Sequence, residues 1–435
     1  MKRVHVIFAT VLAAGLLWSC GKSNPNFEDF KFGNGSSYTG HRQDRAVTEE
    51  SRRVLLLYSA GFNSLASWLE DDIMDLAQGY VPVDSRNADV LLVLSRLAPG
   101  YKMYSNPVAP VLIRLTREEG QETKMDTIKV WPAASAVTSA SFMREALEYV
   151  RDEFPAKGYG IVYSSHGTGW LPTKYYANPS AFEPDDGVWT IGRRKVYPEI
   201  SEYPVVKTLG QDEGTPYSET ELKDISGAIP MHLDYFIVDA CLMGCVEFAY
   251  EVRNICDVVA FSQTEVLAEG LNYSTLASHL LESPTPDVRS VCQDYFNCYD
   301  AKTGDLRSAT ISMVDCSAMD NLASVCATLF AKYQTELHSI NAYAVQRYFR
   351  FDRHYFYDLK DILLHCGITD AERETLQTAL DRAVRFKAAT PRFIGDFDIT
   401  VYSGLSMYLP SNGTAYLNNY YRNNISWNTA TGLVP

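Results

Sequence analysis

The chain has 435 residues, 46% of them apolar and 12% aromatic, with a formal charge of −14. Apolar content at that level supports a sizeable core and excludes disorder of the main body. The acidic balance excludes nucleic acid as a partner, because phosphate binding rests on clustered Lys and Arg.

Lys2 and Arg3 precede an apolar run over 4–18 interrupted only by His5 and Thr10, and Ser19-Cys20-Gly21 follows. The run is shorter than the roughly 20 apolar residues a spanning helix needs. A basic start, a short apolar stretch and small residues at its end make an export signal. Leu17-Trp18-Ser19-Cys20 resembles the bacterial lipobox, in which the cysteine becomes the lipidated first residue; the other reading is an ordinary secretory signal with a coincidental cysteine. Residues 1–19 are thus expected to be a lipoprotein signal peptide, and Cys20 the lipid anchor holding the chain to the cell envelope. Residues 20–50, polar and rich in Gly, Ser and Asn, read as a flexible tether, with the body over 51–435.

The body alternates β-branched runs with amphipathic stretches, the pattern of a largely parallel α/β sheet flanked by helices. Strands are expected at Val54–Tyr58, Asp89–Leu94, Val111–Leu115 and Gly160–Ser164, with helices over 65–77 and 141–154. From Leu171 to Gly214 periodicity fails, and a loop that long is usually functional or mobile. A helix over 219–229 follows, then a strand at Tyr235–Val238, a helix over 246–254 and a strand at Asp257–Phe261. The later part, read as a C-terminal subdomain packed on this sheet, carries helices over 317–339 and 370–388 and strands at Thr310–Val314 and Leu405–Leu409.

Cys241, 245, 256, 292, 298, 316, 326 and 366 show no C-x-x-C pair and no histidine at zinc-finger spacing, so no metal site is expected. Most read as small core residues, and Cys292 with Cys298 is the local candidate for a disulfide.

Two strands end in reactive residues, Ser164-Ser165-His166-Gly167 and Val238-Asp239-Ala240-Cys241. Ligands of parallel sheets bind outside the carboxyl ends of strands. If the two strands are neighbours, His166 and Cys241 share one rim, as a thiol nucleophile and its general acid/base require. An imidazole and the start of the helix near Val246 both favour the thiolate. Gly167 leaves its backbone N–H open to a substrate carbonyl, and with the N–H of Cys241 it makes an oxyanion hole. Each piece alone has a bland reading: a structural histidine at a strand end, a cysteine as core filler. Glu265 and Asp185-Asp186 either line the cleft or are solvated loop charges, and Trp170 either supports the histidine loop or is core.

An apolar strand leading to Ser165-His166-Gly167, then another leading to Asp239-Ala240-Cys241, resembles the clostripain family of cysteine peptidases, of the wider caspase, legumain and gingipain group. Gly169-Trp170, Leu242-Met243-Gly244 with Glu247 and Tyr250-Glu251, Ser262-Gln263-Thr264-Glu265 with Gly270 and Tyr273, and Ser403–Pro410 extend the likeness from Arg52 to Pro410. The resemblance implies a caspase-like α/β sandwich and a Cys–His dyad of Cys241 and His166 acting on protein or peptide substrates. It implies preference for Arg or Lys before the scissile bond through Asp239, whose other reading is a cap for the following helix. It also implies a zymogen cut after a basic residue between the two strands, with Lys174, Arg193, Arg194, Lys195 and Lys207 as candidates. No cofactor is implied; some relatives use calcium, no run of acidic residues here resembles a calcium loop, and calcium dependence stays open. Two other functions stay open: a catalytically inactive surface-anchored binding protein of this fold, and a hydrolase of non-peptide acyl substrates.

Overall fold

The computed structural model describes residues 52–83, 89–97, 108–176, 179–183, 219–350 and 354–435. Cys20, the 20–50 tether, Asp185, Asp186, Arg193, Arg194, Lys195 and Lys207 lie outside the described residues. Strands β1 (Arg53–Gly61), β2 (Val90–Leu97), β3 (Val111–Thr116), β4 (Lys124–Val130), β5 (Gly158–Ser164), β6 (Leu233–Asp239), β7 (Cys256–Phe261) and β8 (Thr310–Asp315) precede the two-residue β9 (Tyr357–Asp358) and then β10 (Val384–Ala389). Nine of them form one sheet in the order β10-β8-β7-β6-β5-β1-β2-β3-β4. The central neighbours β2, β1, β5, β6 and β7 all run parallel, and antiparallel strands close both edges.

The parallel core follows from sequence. Val54 to Tyr58 and Val90 to Leu94 are continuous apolar runs, buried on both faces as strands covered by two helical layers must be. On one face lie the helices Ala66–Gln78, Tyr273–Ala277 and Val288–Asp300; Tyr273 reaches across to Asp239 at the end of β6. On the other lie Ala140–Glu153, Leu222–Ala228 and Val246–Val252, where Phe248 packs on Phe236 of β6 with ring centroids 5.7 Å apart. The later part of the chain both packs its helices on this framework and lends β8 and β10 to the same sheet.

Local outcomes differ from the sequence reading in several places. The helix over 370–388 stops at Ala383, and Val384–Ala389 pairs antiparallel with β8 as an edge strand. Val384 and Phe386 alternate there with Arg385 and Lys387, charges of the kind that protect a sheet edge. The helix over 317–339 divides into Met319–Lys332 and Gln334–Leu337, hinged at Tyr333. Cys292 is a buried free thiol, so it does not pair with Cys298. Both sit on the helix Val288–Asp300, where six residues at about 1.5 Å rise put them on different faces, too far apart for a bridge.

Glu247 ties the C-terminal region to the helix that follows Cys241. Its Oε1 accepts from the Tyr408 N–H at 2.9 Å and the Tyr421 hydroxyl at 2.7 Å. Burial raises its pKa to about 7, opposed by those two donors. A carboxyl raised in the folded state stabilises the fold below its unfolded pKa near 4.5, and that contribution is lost as pH rises through the folded value. Glu247→Gln should therefore flatten the fall in unfolding free energy between about pH 4.5 and 7, by up to about 3 kcal/mol. Urea unfolding of both proteins at several pH values across that window tests this, and identical pH slopes would refute it.

Candidate active site

The register of β5 against β6 pairs Ser164 with Asp239, so His166 and Cys241 each stand two residues beyond a matched pair on adjacent parallel strands. They share one rim, as their sequence contexts require. The loops touch directly: a Cβ added to Gly167 would stand 2.5 Å from the Cys241 carbonyl oxygen and 3.0 Å from the Met243 Cγ. No side chain other than hydrogen fits there while the two loops keep this spacing. His166 is 4% exposed, and its Nε2 lies 3.4 Å from the Ser64 hydroxyl, on the loop after β1. Ser165 fixes the start of the loop by donating to the Ala60 carbonyl at 2.8 Å.

Cys241 is 0% exposed. Its Sγ accepts the Val266 N–H at 3.1 Å and lies 3.8 Å from the Val266 carbonyl. Both backbone groups of Val266 thus face the sulfur, the N–H as donor and the carbonyl as acceptor. The chain then turns sharply: Leu242 has φ 63, a left-handed conformation costly for any residue with a Cβ. Leu242 donates to the Thr264 carbonyl at 2.9 Å and Gly244 to the Ser262 carbonyl at 2.7 Å, which hold that turn against the loop after β7. The helix Val246–Val252 begins only after it, with Cys245 at its N-cap. The donor at Cys241 is thus the Val266 amide rather than the helix terminus.

Asp239 is 1% exposed, and its Oδ2 accepts from Ser164 Oγ at 3.2 Å and the Tyr273 hydroxyl at 2.7 Å. Since Cys245 holds the cap position, Asp239 does not cap that helix. Glu265 is not a solvated loop charge: it is 0% exposed and takes Arg350 by both oxygens, Nη2 to Oε1 at 3.0 Å. Burial works against the Arg350 charge, but the Glu265 carboxylate outweighs it and holds the guanidinium above its ordinary pKa. The Tyr176 phenol is pushed up by burial and by the Glu265 and Cys241 negative groups beside it. Trp170 belongs to the core, its ring 4.6 Å from Tyr408 and 5.2 Å from Tyr421. Lys174 is exposed, with φ 63 and its N–H donating to Glu219.

Sequence reasoning missed Ser64, Val266 and Arg350, and took Tyr273 only as part of the family likeness, with no place in the site. Val266 acts through its backbone, which no residue type signals, and the others become neighbours only through the fold. Among the described residues no group of three or more His, Cys, Asp or Glu is placed to hold a metal ion. No described helix is long and apolar enough to cross a membrane.

Three comparisons bear on this geometry. A zymogen C11 protease from Parabacteroides distasonis, described as inactive, shares 24% identity with a TM-score of 0.69, covering 88% of this chain and 99% of that one. A secreted C11 cysteine protease from Bacteroides thetaiotaomicron, solved with an irreversible peptide inhibitor, shares 23% identity with a TM-score of 0.69, again covering 88% and 99%. These show the caspase-like fold. No curated protein matches the chain. The model of the clostripain family matches residues 57–186 and 192–428, nearly the whole of the described body. The chain therefore belongs to the clostripain family of cysteine proteases.

Proposed function

We propose that this protease cleaves peptide bonds after Arg or Lys through Cys241 and His166, and that it is exported and made as a self-processed zymogen. The observation that carries the proposal is the matched ending of β5 and β6, with the Gly167 backbone set against the Cys241 carbonyl. In this reading the Cys241 thiolate attacks the scissile carbonyl carbon. The N–H groups of Gly167 and Cys241 take the charge that develops on its oxygen. Protonated His166 gives its proton to the leaving amine, and a thioester remains on Sγ. His166 then takes a proton from water as that water attacks the thioester, which frees the acid product and restores the Cys241 thiolate beside protonated His166. Asp239, on the face shared with Ser164 and Tyr273, is the partner for a guanidinium or ammonium of the residue before the scissile bond.

A zymogen fits a nucleophile that is 0% exposed, since attack requires the carbonyl to reach Sγ. One structure of similar fold is of an inactive zymogen, and another is of an enzyme taken by a peptide inhibitor. Cleavage after Lys174, Arg193, Arg194, Lys195 or Lys207 would part the histidine segment from the cysteine segment. The anchor at Cys20 rests on the sequence of the leader.

Fluorogenic peptides ending in Arg, Lys or Ala should be cleaved in the order Arg and Lys well above Ala, with Cys241→Ala reducing turnover about 10⁴-fold or more. Asp239→Asn should weaken Arg and Lys substrates about 10²-fold relative to Ala. Intact mass of the purified wild type should show self-cleavage after one of the five basic residues, absent in Cys241→Ala. Wild type that cleaves no peptide would leave the inactive binding protein as the better reading. Activity surviving in Cys241→Ala would overturn the nucleophile.

Gly167→Ala puts a methyl group into the Cys241 carbonyl and forces the two loops apart. A displacement of that order should lower kcat/KM about 10²-fold while thermal unfolding stays cooperative. Unchanged kcat/KM would show that the spacing of the loops is not used. Metabolic labelling with a radioactive fatty acid should mark wild type in a bacterial host and leave Cys20→Ser unlabelled; equal labelling would refute the anchor.

A further inference from the structure

A cavity lies against the histidine loop on the sheet face opposite Asp239. Tyr163, Val238, Met243, Phe248 and Ile225 give it an apolar lining, and His166 and Gly167 border it. Its position follows from strand geometry. Successive side chains of a strand point to opposite faces. Val238 and Asp239 are consecutive on β6, and in register they pair with Tyr163 and Ser164 of β5. Ser164 and Asp239 are hydrogen-bonded on the side of Tyr273. Tyr163 and Val238 therefore face the other layer, where Ile225 on Leu222–Ala228 and Phe248 on Val246–Val252 complete the wall. His166 and Gly167, at the C-terminal rim of the sheet, border the cavity and stand beside the end of β6 that carries Asp239.

This rim gives a bound peptide a direction. In the function proposed above, on which this step rests, the side chain before the scissile bond lies on the Asp239 face. The leaving half must then depart past His166, the group that protonates its amine, and His166 borders the cavity. We propose that this cavity is a leaving-side subsite that takes a large apolar side chain of the peptide, within the first two residues after the scissile bond. The lining is apolar apart from threonines, Tyr163, His166 and one carboxylate, Glu219, so the subsite selects Leu, Met or Phe and rejects Asp and Glu. Burying a leucine side chain in place of glycine is worth on the order of 10- to 100-fold in binding.

Two substrate sets test this on the full-length protein. The first is a Lys-coumarylamide, which has no residue after the scissile bond and reports hydrolysis alone. The second is a series of internally quenched peptides with a fixed half ending in Lys, followed by Leu, Phe, Gly or Asp at the first or second position. The expected result is kcat/KM for Leu on the order of 10- to 100-fold above Gly at one of the two positions, with Asp lowest. Ile225→Trp, which fills the cavity, should bring the Leu to Gly ratio toward 1. Ile225→Ala, which enlarges it, should shift preference from Leu to Phe. If the coumarylamide is cleaved while Leu and Gly peptides are equivalent, the subsite is refuted and the proposed peptidase function stands. A Leu preference that survives both Ile225 variants also refutes it. Failure to cleave either substrate set refutes the peptidase function and the subsite with it.

Discussion

The pairing of β5 with β6 is the constraint on which the rest of the molecule depends. A parallel register is set residue by residue, and a slip of one would turn every side chain to the opposite face. Ser164 opposite Asp239 sends both polar side chains to one layer and Tyr163 with Val238 to the other. The same register ends the two strands level, so that the loops carrying His166 and Cys241 begin side by side. Apolar continuity in β1, β2, β5 and β6 buries both faces, and the Ser164–Asp239 hydrogen bond distinguishes one face from the other. The reactive residues follow as a consequence of core packing.

Beyond the rim, position is held by backbone amides and carbonyls together with a few buried side chains. Leu242 in the left-handed region costs energy that a simple loop has no reason to bear. Three bonds to the loop after β7 hold it there: Leu242 to Thr264, Gly244 to Ser262, and Val266 to the sulfur itself. That loop is pinned in turn from β8, where the Thr310 hydroxyl accepts from the Gln263 and Thr264 amides at 3.1 and 3.0 Å. The C-terminal part of the chain takes part through Gln263, whose side-chain amide donates to the Gly404 carbonyl at 2.8 Å. Segments distant in sequence are thus needed to place one sulfur atom.

The legible part of the sequence is what repeats a physical rule locally. Continuous apolar runs announced the parallel strands, and the ends of two of them announced His166 and Cys241. Edge elements were harder to read. Val384–Ala389 carries two arginine or lysine residues among six, and its alternation is too short to outweigh the helix that precedes it. Leu405–Leu409 reads as a strand, but only Ser406–Met407 pairs, with β9, because the short partner offers nothing more. Ser64, Val266 and Arg350 were illegible for a different reason. Their roles depend on who stands opposite across 25 to 102 residues of chain, and no local pattern encodes that.

Glu265 with Arg350 shows how a buried charge serves placement. Removing two ions from water costs several kcal/mol each, and their attraction returns little net stability over a packed apolar pair. An apolar pair, however, would fix no angle. A guanidinium held by both carboxylate oxygens locks the orientation of Glu265, and Glu265 immediately precedes the amide that meets Cys241. Asp396 stands 3.7 Å from the same guanidinium, so the arginine also draws the segment after Phe393 toward this loop. The pair spends stability on direction, and the atom so directed is the Val266 nitrogen, 3.1 Å from the sulfur. An error of one ångström there would separate the sulfur from the amide that meets it.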